Sequence, residues 1–523
     1  MSHTQKSIVR GMTVLGIAGL VCKIVGALYR IPLAWIVGEN GLSLYYLVFP
    51  TYGLLLTVSA AGIPVAISRM VSYSLSQNDP RSALRIFRIA LVVLACLGIV
   101  CTALMIVFSP QLAARSGHPQ TQAGFVAIAP ALLMVCIMSA FRGFIQGQEN
   151  MVPTAVSQLI EQVGKVVIIL PMAYFGMRVS VSYAAAMVLW GNTLAEAVAL
   201  LYILVAYRRM RPGFAKLPQD ENAPVPPSRV LVRRLLSLSI PITLGGCIIP
   251  LASFVDSGMI LNRLLDAGFS LEEGSALYGR YTGYVISLIN VPTAIAIAIA
   301  MSLVPSISGA MARGDEKHVQ RQSALGIRYA FLIGLPCSVG MSMLSKPILA
   351  MLYSSLAGEA LEITARLLSL SGFTIVLFTV VQATSGILQG MRKQRIPMYT
   401  LIAGVAVKVF LNYTLVGSPA VNIYGAPIAS LVCYTISTIP NLYYTYKHAH
   451  MRMDVKGTLV TPLLATGGMA ITLWAGLRLL PQGGGWTALL ILAGMASFVG
   501  FALLTGALGR EDLTAFLKRT RRR

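Results

Sequence analysis

Long apolar runs alternate with short polar turns along the whole sequence. A helix that spans a bilayer needs about 20 apolar residues, and about fourteen runs reach that length. The runs lie near 11–37, 44–70, 87–108, 123–145, 154–175, 180–207, 235–262, 278–304, 324–345, 363–388, 397–417, 422–446, 458–480 and 486–508. Strands of a membrane barrel would instead alternate apolar and polar residues over about ten positions. The pattern predicts an all-α, polytopic membrane protein with about fourteen transmembrane helices.

A phrase of the first half recurs in the second half. Gly143-Phe144-Ile145-Gln146-Gly147 precedes Lys165, and Gly386-Ile387-Leu388-Gln389-Gly390 precedes Lys408 at the same distance. The glycines are typical of residues that end one span and turn the chain into the next. The order and spacing of these echoes indicate a duplicated body.

A second echo, of Ile63-Pro64 by Val304-Pro305, keeps the same order, and the offset of about 240 residues indicates an internal repeat. The longest polar connection, 208–234, is rich in proline and separates six runs from eight. Because six spans are an even number, the repeat predicts two six-helix lobes related by an axis along the membrane normal. The predicted divisions are an N-lobe over 1–207, a cytoplasmic linker over 208–234, a C-lobe over 235–450, and an added helix pair with a basic cytoplasmic tail over 451–523.

Composition agrees with a membrane protein, because only 11% of the 523 residues are charged and 56% are hydrophobic. The formal net charge of +23 would favour nucleic-acid binding in a soluble protein. Most lysines and arginines, however, fall in the termini and in every second loop, and Arg142 is counted among these loop cations. The positive-inside rule then places both termini of a multi-pass protein in the cytoplasm, within the cytoplasmic membrane. Anionic membrane lipids account for the basic excess, so no nucleic-acid partner is expected.

Four cations, Lys23, Arg30, Lys165 and Lys408, lie within the apolar runs. A cation at the bilayer centre costs roughly 2.5–3.5 kcal/mol on insertion scales, so each needs a reason. Lys23 and Arg30 are seven residues apart and share one face of a helix. We expect that face to line a cavity that holds negative charge; the alternative is that both side chains extend to the membrane surface.

The fifth run carries Glu161 and Lys165, four residues apart with the acid first, which is a favourable helical pair. The two side chains either neutralise each other within the span or contribute to a cavity. Lys408, the repeat partner of Lys165, has no acid at the matching place, and a functional role for it is left open.

Three further ionisable residues lie in or at the ends of spans. Asp256, in the seventh run, either balances a cavity cation or takes a coupling proton or cation. Glu196 lies one turn after Asn192, which allows either a hydrogen-bonded packing pair or a cavity role. Arg280, between Tyr278 and Tyr281, opens the eighth run as a cavity cation or as an interfacial anchor.

No enzyme site is predicted. The sequence has no phosphate-binding loop with its lysine, so we do not expect this chain to hydrolyse ATP. The five histidines fall in loops or termini, and neither they nor the seven cysteines show metal-ligand spacing. We therefore expect a transporter with no catalytic residue, no cofactor and no metal.

Phrases in the first two spans carry a family resemblance. They are Lys23-x-x-Gly26-x-x-x-Arg30, Gly38-Glu39-x-Gly41-x-x-x-Tyr45 and Gly62-Ile63-Pro64-x-Ala66-Ile67-Ser68. These phrases resemble the stage V sporulation protein B branch of the polysaccharide transport family. That branch belongs to the multidrug/oligosaccharidyl-lipid/polysaccharide (MOP) flippase superfamily. The resemblance covers nearly the whole chain, including its spans and its repeat.

The resemblance implies two six-helix lobes facing across a central cavity, as in the similar lipid II flippases. In those proteins, cations on the first and eighth spans line the cavity, and the last two spans form a groove for the lipid tail. Lys23 and Arg280 match these cations. Arg30 matches the sporulation branch, whereas the lipid II flippases have an arginine–aspartate pair there. The resemblance thus implies Lys23, Arg30 and Arg280 as substrate-binding cations.

The expected function is a flippase that moves a lipid-linked oligosaccharide across the cytoplasmic membrane by alternating access. Its expected substrate is the peptidoglycan precursor lipid II or a related undecaprenyl-diphosphate sugar. A cation-coupled multidrug exporter of the same superfamily is one alternative, although the first span carries cations and no acid. A non-transporting scaffold for cell-wall or spore-cortex synthesis is the other. The expected partners are the lipid-linked sugar, membrane lipids and cell-wall synthesis proteins.

Overall fold

The architecture is entirely helical in the residues that the structure describes. A computed structural model describes residues 18–508, apart from 20, 23–24, 27, 61, 216–225, 452–453 and 482. Helix accounts for 89% of the described chain, and that part contains no strand. The prediction of an all-α protein is confirmed.

Twenty α-helices follow one another along the described chain. Those up to Gly279 are α1 (Arg30–Ala60), α2 (Ile63–Ser76), α3 (Pro80–Val107), α4 (Ser109–Ser116), α5 (Gln122–Gly147), α6 (Val152–Gly164), α7 (Leu170–Met177), α8 (Val181–Ala215), α9 (Ser228–Gly246), α10 (Ile248–Asp266) and α11 (Leu271–Gly279). The rest are α12 (Ile286–Ala312), α13 (Glu316–Met343), α14 (Ser345–Leu352), α15 (Gly358–Gly372), α16 (Thr374–Gly390), α17 (Arg395–Leu411), α18 (Gly425–Ala449), α19 (Thr461–Leu479) and α20 (Gly484–Leu504).

Short segments of tighter or wider helix join several of these elements. Turns of 3₁₀-helix cover Pro119–Thr121 and Asn422–Tyr424. Segments of π-helix cover Lys165–Ile169, Arg280–Val285, Asn412–Val416 and Lys456–Val460. π-Helical turns inside longer helices occur often at functional sites, and two of these four begin at Lys165 and Arg280.

Thirteen helices of the described chain are long and apolar enough to cross a membrane. From the third predicted run onward, each run overlaps one of them. The seventh run, near 235–262, is divided at Cys247 between α9 and α10, and only α10 is among the thirteen. The first run, near 11–37, lies largely outside the described residues, so the count of fourteen stays a prediction. The many apolar helices establish a multi-pass membrane protein.

The second predicted run is divided between two helices. Helix α1 is kinked at Gly38, whose backbone (φ 64°, ψ −172°) is accessible only to glycine, and it ends at Ala60. Helix α2 begins anew at Ile63, with Pro64 in its first turn. Between them, a Cβ atom on Gly62 would lie 2.3 Å from the Ser239 carbonyl oxygen. The span expected over 44–70 is therefore interrupted where α9 approaches most closely.

The chain forms two compact units, 1–279 and 280–523. The division falls inside the apolar stretch Leu271–Ala312, at the start of a π-helical segment. Helices α8 and α9 extend into the polar connection 208–234 from either side. The lobe boundaries inferred from the repeat remain a prediction.

The first unit has a core where α2, α3, α5, α8 and α9 meet. Four aromatic rings form its centre on the side of the predicted cytoplasmic loops. Phe87 packs against Phe141, Phe144 and Tyr207, with ring centroids 4.7–5.3 Å apart. These side chains come from α3, α5 and α8, so the aromatic group fixes three spans together.

The repeated Gly-x-x-Gln-Gly phrase makes equivalent helix contacts in the two units. In the first unit, a Cβ on Gly147 would lie 2.7 Å from the Cβ of Val71, so α5 meets α2 at this glycine. In the second unit, a Cβ on Gly390 would lie 2.8 Å from the Cβ of Ile307, so α16 meets α12. Small residues allow such close approach of membrane helices. The sequence echo therefore reflects a repeated packing contact.

The C-terminal helix pair α19 and α20 is fixed to α13 in the second unit. The guanidinium of Arg328 donates to the carbonyl oxygens of Gly506 and Ala507, just after α20, at 3.2 and 2.7 Å. Leu332 packs beside them against Ala465 and Ala502. One arginine thus satisfies two backbone carbonyls of the turn that follows α20.

Candidate functional site

A group of four charged residues, one buried and three mostly buried, lies inside the first unit. We call Arg142, Glu161, Lys165 and Glu196 the charge cluster. Arg142 is on α5, Glu161 on α6, Lys165 at the start of the π-helical segment, and Glu196 on α8. Their relative side-chain exposures are 13%, 17%, 14% and 3%. Charges this far from water in apolar spans are expensive, and they persist where they pair or serve a function.

Close packing of the fifth and sixth spans brings the cluster together. A Cβ on Gly164 would lie 3.1 Å from the Cβ of Ala195, so α6 and α8 approach one another there. Lys165 and Glu196 are the next residues along the two helices. The glycine therefore places an ammonium group and a carboxylate side by side.

Glu161 is the centre of the charge cluster because it contacts both cations. Its Oε1 accepts a hydrogen bond from Lys165 Nζ at 2.8 Å, and its Oε2 lies 3.6 Å from Arg142 Nη2. The i,i+4 pair predicted from the sequence is thus present. Arg142 Nε also donates to Ser157 Oγ at 2.9 Å, which orients the guanidinium toward α6.

Glu196 is paired more loosely, and with a different residue than the sequence suggested. Its Oε1 lies 3.7 Å from Lys165 Nζ, and its Oε2 is enclosed without a hydrogen-bond partner. The amide nitrogen of Asn192 is also enclosed without one. The alternative in which Asn192 and Glu196 form a hydrogen-bonded packing pair is therefore wrong, because Glu196 faces the neighbouring span and Lys165.

Further enclosed polar atoms lie beside the charge cluster. The Tyr52 hydroxyl, within electrostatic range of Glu196 and Glu161, and Gln158 Oε1, one turn before Glu161, have no hydrogen-bond partner among the described residues. Buried polar atoms without partners are rare in proteins and call for an explanation, which is often a ligand, an ion or a functional role. The surroundings of Glu196 are thus more polar than simple packing requires.

Arg30 lies next to the charge cluster in a surround of tyrosines. Its guanidinium carbon is 5.8 Å from the centre of the Tyr46 ring, and Tyr29 and Tyr45 are its other electrostatic neighbours. The Tyr29 and Tyr45 hydroxyls are hydrogen-bonded at 3.3 Å. Tyr29 is also within electrostatic range of Lys165. Tyr29 therefore lies between Arg30 and the charge cluster.

The first span reaches this region as well. A Cβ on Gly26 would lie 3.0 Å from Oε1 of Gln162, the residue after Glu161. Gly26 belongs to the phrase that also contains Lys23 and Arg30, so the phrase contributes a helix face to the surroundings of the cluster. Lys23 itself lies outside the described residues, and its cavity role stays a prediction.

The other predicted residues lie elsewhere in the fold. Asp256 is partly buried on α10, in the first unit. Arg280 is partly buried at the first position of the π-helical segment Arg280–Val285, in the second unit. Lys408 is partly buried in the last turn of α17. The roles expected for these three residues remain predictions.

Arg142 is the site residue that sequence reasoning missed. It was assigned to the loop between the fourth and fifth spans, whereas it lies within α5 with a buried side chain. A signal was available: Arg142 falls inside the apolar run 123–145, as Lys165 falls inside the next run. A cation within an apolar run indicates a paired or functional charge in both spans.

A separate contact fixes the helix of Asp256 to the loop between the third and fourth spans. Arg115 lies over the Phe254 ring at 3.7 Å, and its Nη2 donates to the Phe254 carbonyl at 3.1 Å. Asn262 Nδ2 donates to the Arg115 carbonyl at 2.8 Å. Burial lowers the pKa of Arg115 and also that of His118, whose Nδ1 has no hydrogen-bond partner in this part of the chain. The low pKa favours a neutral imidazole in this loop.

The helices and the buried charges define a class of polytopic membrane transporter. The sequence pattern of the polysaccharide biosynthesis protein family matches residues 8–311, and that of the MatE family matches 282–414. The chain therefore belongs to the polysaccharide biosynthesis protein family, within the MOP superfamily of transporters and flippases.

Named relatives agree with this assignment. The chain is 27% identical to the lipid II flippase MurJ of Bacillus subtilis over 490 residues, which cover 89% of this chain and 88% of that protein. It is 26% identical to stage V sporulation protein B of the same organism, with 83% of each chain covered. The solved structure of a lipid II flippase MurJ in an inward closed conformation has a TM-score of 0.72 at 14% identity, covering 94% of this chain and 98% of that one. This structural likeness establishes the fold.

Proposed function

We propose that this protein is a flippase that moves an undecaprenyl-diphosphate-linked sugar, the peptidoglycan precursor lipid II, across the cytoplasmic membrane. The observation that carries the proposal is a set of mostly buried cations inside the first unit. Arg142 and Lys165 pair with Glu161 and Glu196, and the guanidinium of Arg30 lies among tyrosines. A buried cation among neutral side chains favours an anionic ligand, since the ligand supplies the missing counter-charge.

The obstacle to flipping is the diphosphate-sugar headgroup, which cannot cross hydrocarbon without losing its water. Arginine and lysine side chains replace that water with charge-assisted hydrogen bonds to the phosphate oxygens. Arg30 and the charge cluster supply such donors from one unit. Lys23 and Arg280 complete the cation set that the family resemblance implies. The prenyl tail stays in lipid during alternating access, and both termini lie in the cytoplasm.

The relatives support this choice of substrate. The protein named lipid II flippase and the stage V sporulation protein each align with most of this chain. A transporter needs no catalytic residue, so we propose that the chain is not an enzyme. The proposed partners are the lipid-linked sugar, membrane lipids and the proteins of cell-wall synthesis.

One observation favours a second candidate, a multidrug exporter. The MatE pattern matches residues 282–414, which lie in the second unit. Organic-cation drugs, however, need acidic surroundings, whereas both carboxylates of the charge cluster are already paired with Arg142 or Lys165. Export of organic cations from cells that express this protein, with no lipid-linked sugar moved, would reverse the choice.

The proposal is tested with purified protein in liposomes that contain fluorescent lipid II. Reduction of the accessible fluorophore by dithionite reports how fast the headgroup crosses. Arg30→Gln and Arg142→Gln should each slow transfer by about tenfold or more, because each removes a charge-assisted hydrogen bond donor. Arg178→Gln, at an exposed arginine beside Tyr174, is the matched control and should leave the rate unchanged.

The outcome also separates a flippase from a scaffold. A scaffold moves no lipid in liposomes, whatever the variant. If the wild-type protein leaves the headgroup in its original leaflet, or if all three variants transfer it at the wild-type rate, the proposed function is wrong.

A further inference from the structure

Glu196 is the one member of the charge cluster whose carboxylate is not fully paired. It is 2% exposed, its Oε2 accepts no hydrogen bond from the described residues, and its Oε1 is 3.7 Å from the nearest ammonium. Glu161 takes the shorter contact with that ammonium, at 2.8 Å. An ionised carboxylate with such incomplete pairing carries a large desolvation cost. A proton on Glu196 removes the cost.

The place where that proton would bond is already present. The carboxyl groups of Glu196 and Glu161 are within side-chain hydrogen-bonding reach of one another. A protonated Glu196 could therefore donate to Glu161, which is acceptor-only while ionised. Two carboxyl groups this close share one proton more readily than they both ionise.

The groups that face Glu196 come from four packed elements. Lys165 and Glu161 face it from the fifth span, and Arg142 from α5. Tyr52 faces it from α1, and its own helix adds Asn192 one turn away. Among these groups, only the second carboxylate shares its sign. Glu196 is therefore the member whose neutralisation changes the balance of the cluster.

We propose that Glu196 is a proton-binding site, and that its protonation is coupled to the binding of the diphosphate headgroup by Arg30, Arg142 and Lys165. This inference rests on the proposed function and adds the coupling ion and the residue that takes it. The headgroup displaces no protein group in this step: one proton passes from water to the Glu196 carboxylate, and the phosphate oxygens accept hydrogen bonds from the cations.

The sign of the coupling follows from the charges. With all four members ionised, the charge cluster is neutral, since two cations balance two carboxylates. Protonation of Glu196 leaves it with one net positive charge, so an anion binds more tightly to the protonated form. Linkage is reciprocal, so binding of the anion draws a proton onto Glu196.

The test measures proton uptake directly in the full-length protein. Geranylgeranyl diphosphate is titrated into the detergent-solubilised protein by calorimetry, in buffers of different ionisation enthalpy. We expect the wild type to take up about one proton through Glu196 for each diphosphate bound. We also expect it to bind the diphosphate about tenfold more tightly at acidic than at alkaline pH.

The isosteric variant Glu196→Gln should lose this uptake and bind at the acid-side affinity at every pH. Glu149→Gln, at an exposed glutamate of the same unit, is the control and should match the wild type. The diphosphate itself also takes up or releases protons, and it does so equally with every variant. The contribution of Glu196 is therefore the difference in proton uptake between the wild type and E196Q. Infrared difference spectra of the wild type should also gain a carboxylic-acid carbonyl band on diphosphate binding.

Different results would overturn the role of Glu196 and the proposed function. Equal proton uptake by wild type and E196Q, or no carboxylic-acid band in the wild type, overturns the role of Glu196 while the proposed function stands. Absence of diphosphate binding by the wild type at any pH overturns both.

Discussion

At the scale of single residues, the charge cluster depends on Glu161, which holds Lys165 and Arg142 at the same time. Each cation by itself would be an unpaired charge in an apolar span. The hydrogen bond from Arg142 to Ser157 and the loose contact of Lys165 with Glu196 are too weak to replace the carboxylate. The stability of the first unit should therefore be sensitive to this one side chain.

Glu161→Gln keeps the shape of the side chain and removes its charge. Breaking a buried ion pair from one side costs about 3–5 kcal/mol, so the thermal unfolding midpoint in detergent should fall clearly. The double variant Glu161→Gln/Lys165→Met removes both charges and should regain most of the loss. Glu362→Gln is the control, because its pair with Lys346 is half exposed and should matter little. A midpoint for E161Q equal to that of the wild type would mean that the cluster does not stabilise the fold.

At the scale of the elements, the repeated glycines allow helices to approach within backbone distance. Gly147→Ala and Gly390→Ala each place a methyl group less than 3 Å from a neighbouring Cβ, on Val71 and Ile307. Overpacking of this kind costs about 1–3 kcal/mol, and both variants should unfold at lower temperature.

Gly53→Ala is the matched control, because its new Cβ would meet nothing within 4 Å in the middle of α1. It should be neutral or more stable, by up to about 1 kcal/mol, from helix propensity alone. Equal midpoints for all three variants would contradict the packing described for α2 with α5 and for α12 with α16.

The elements also show how far the sequence could be read. Runs of about 20 apolar residues locate the spans after the second well, because length and hydropathy alone decide them. The exception is the seventh run, 235–262, which covers parts of both α9 and α10. The break near Gly62 was not predicted, because it depends on the approach of α9, which is distant in sequence. The π-helical segments were not predicted either. A π-helical turn adds one residue to an α-helix, and the hydrophobic periodicity of a short stretch of sequence does not show that addition.

The site was predictable in its residue types and less so in its partners. Arg30, Glu161 and Lys165 are recognisable because charges inside apolar runs are rare. Arg142 was not predicted as a site residue, because it lies close to the end of an apolar run and was assigned to the following loop. The contact of Glu196 with Lys165 crosses between spans, so spacing along a single helix could not show it.

At the scale of the whole molecule, the mostly buried cations Arg30, Arg142 and Lys165 lie within a chain whose formal net charge is +23. In the proposed function, cations in the predicted cytoplasmic loops attract anionic headgroups to the inner leaflet, and these three cations bind them. The central claim is that an anionic lipid-linked sugar passes through this protein from the inner to the outer leaflet. Loss of the protein should then leave that lipid on the cytoplasmic side.

The most direct measurement is depletion of the protein in its native cell, followed by determination of the leaflet in which lipid II accumulates, with any related flippase of the cell deleted. An outer-leaflet probe, such as an added enzyme that cleaves only exposed lipid II, reports the exposed fraction. The account predicts that the exposed fraction falls as the protein is depleted, and that wild-type protein restores it while Arg30→Gln does not. An unchanged exposed fraction after depletion would contradict it.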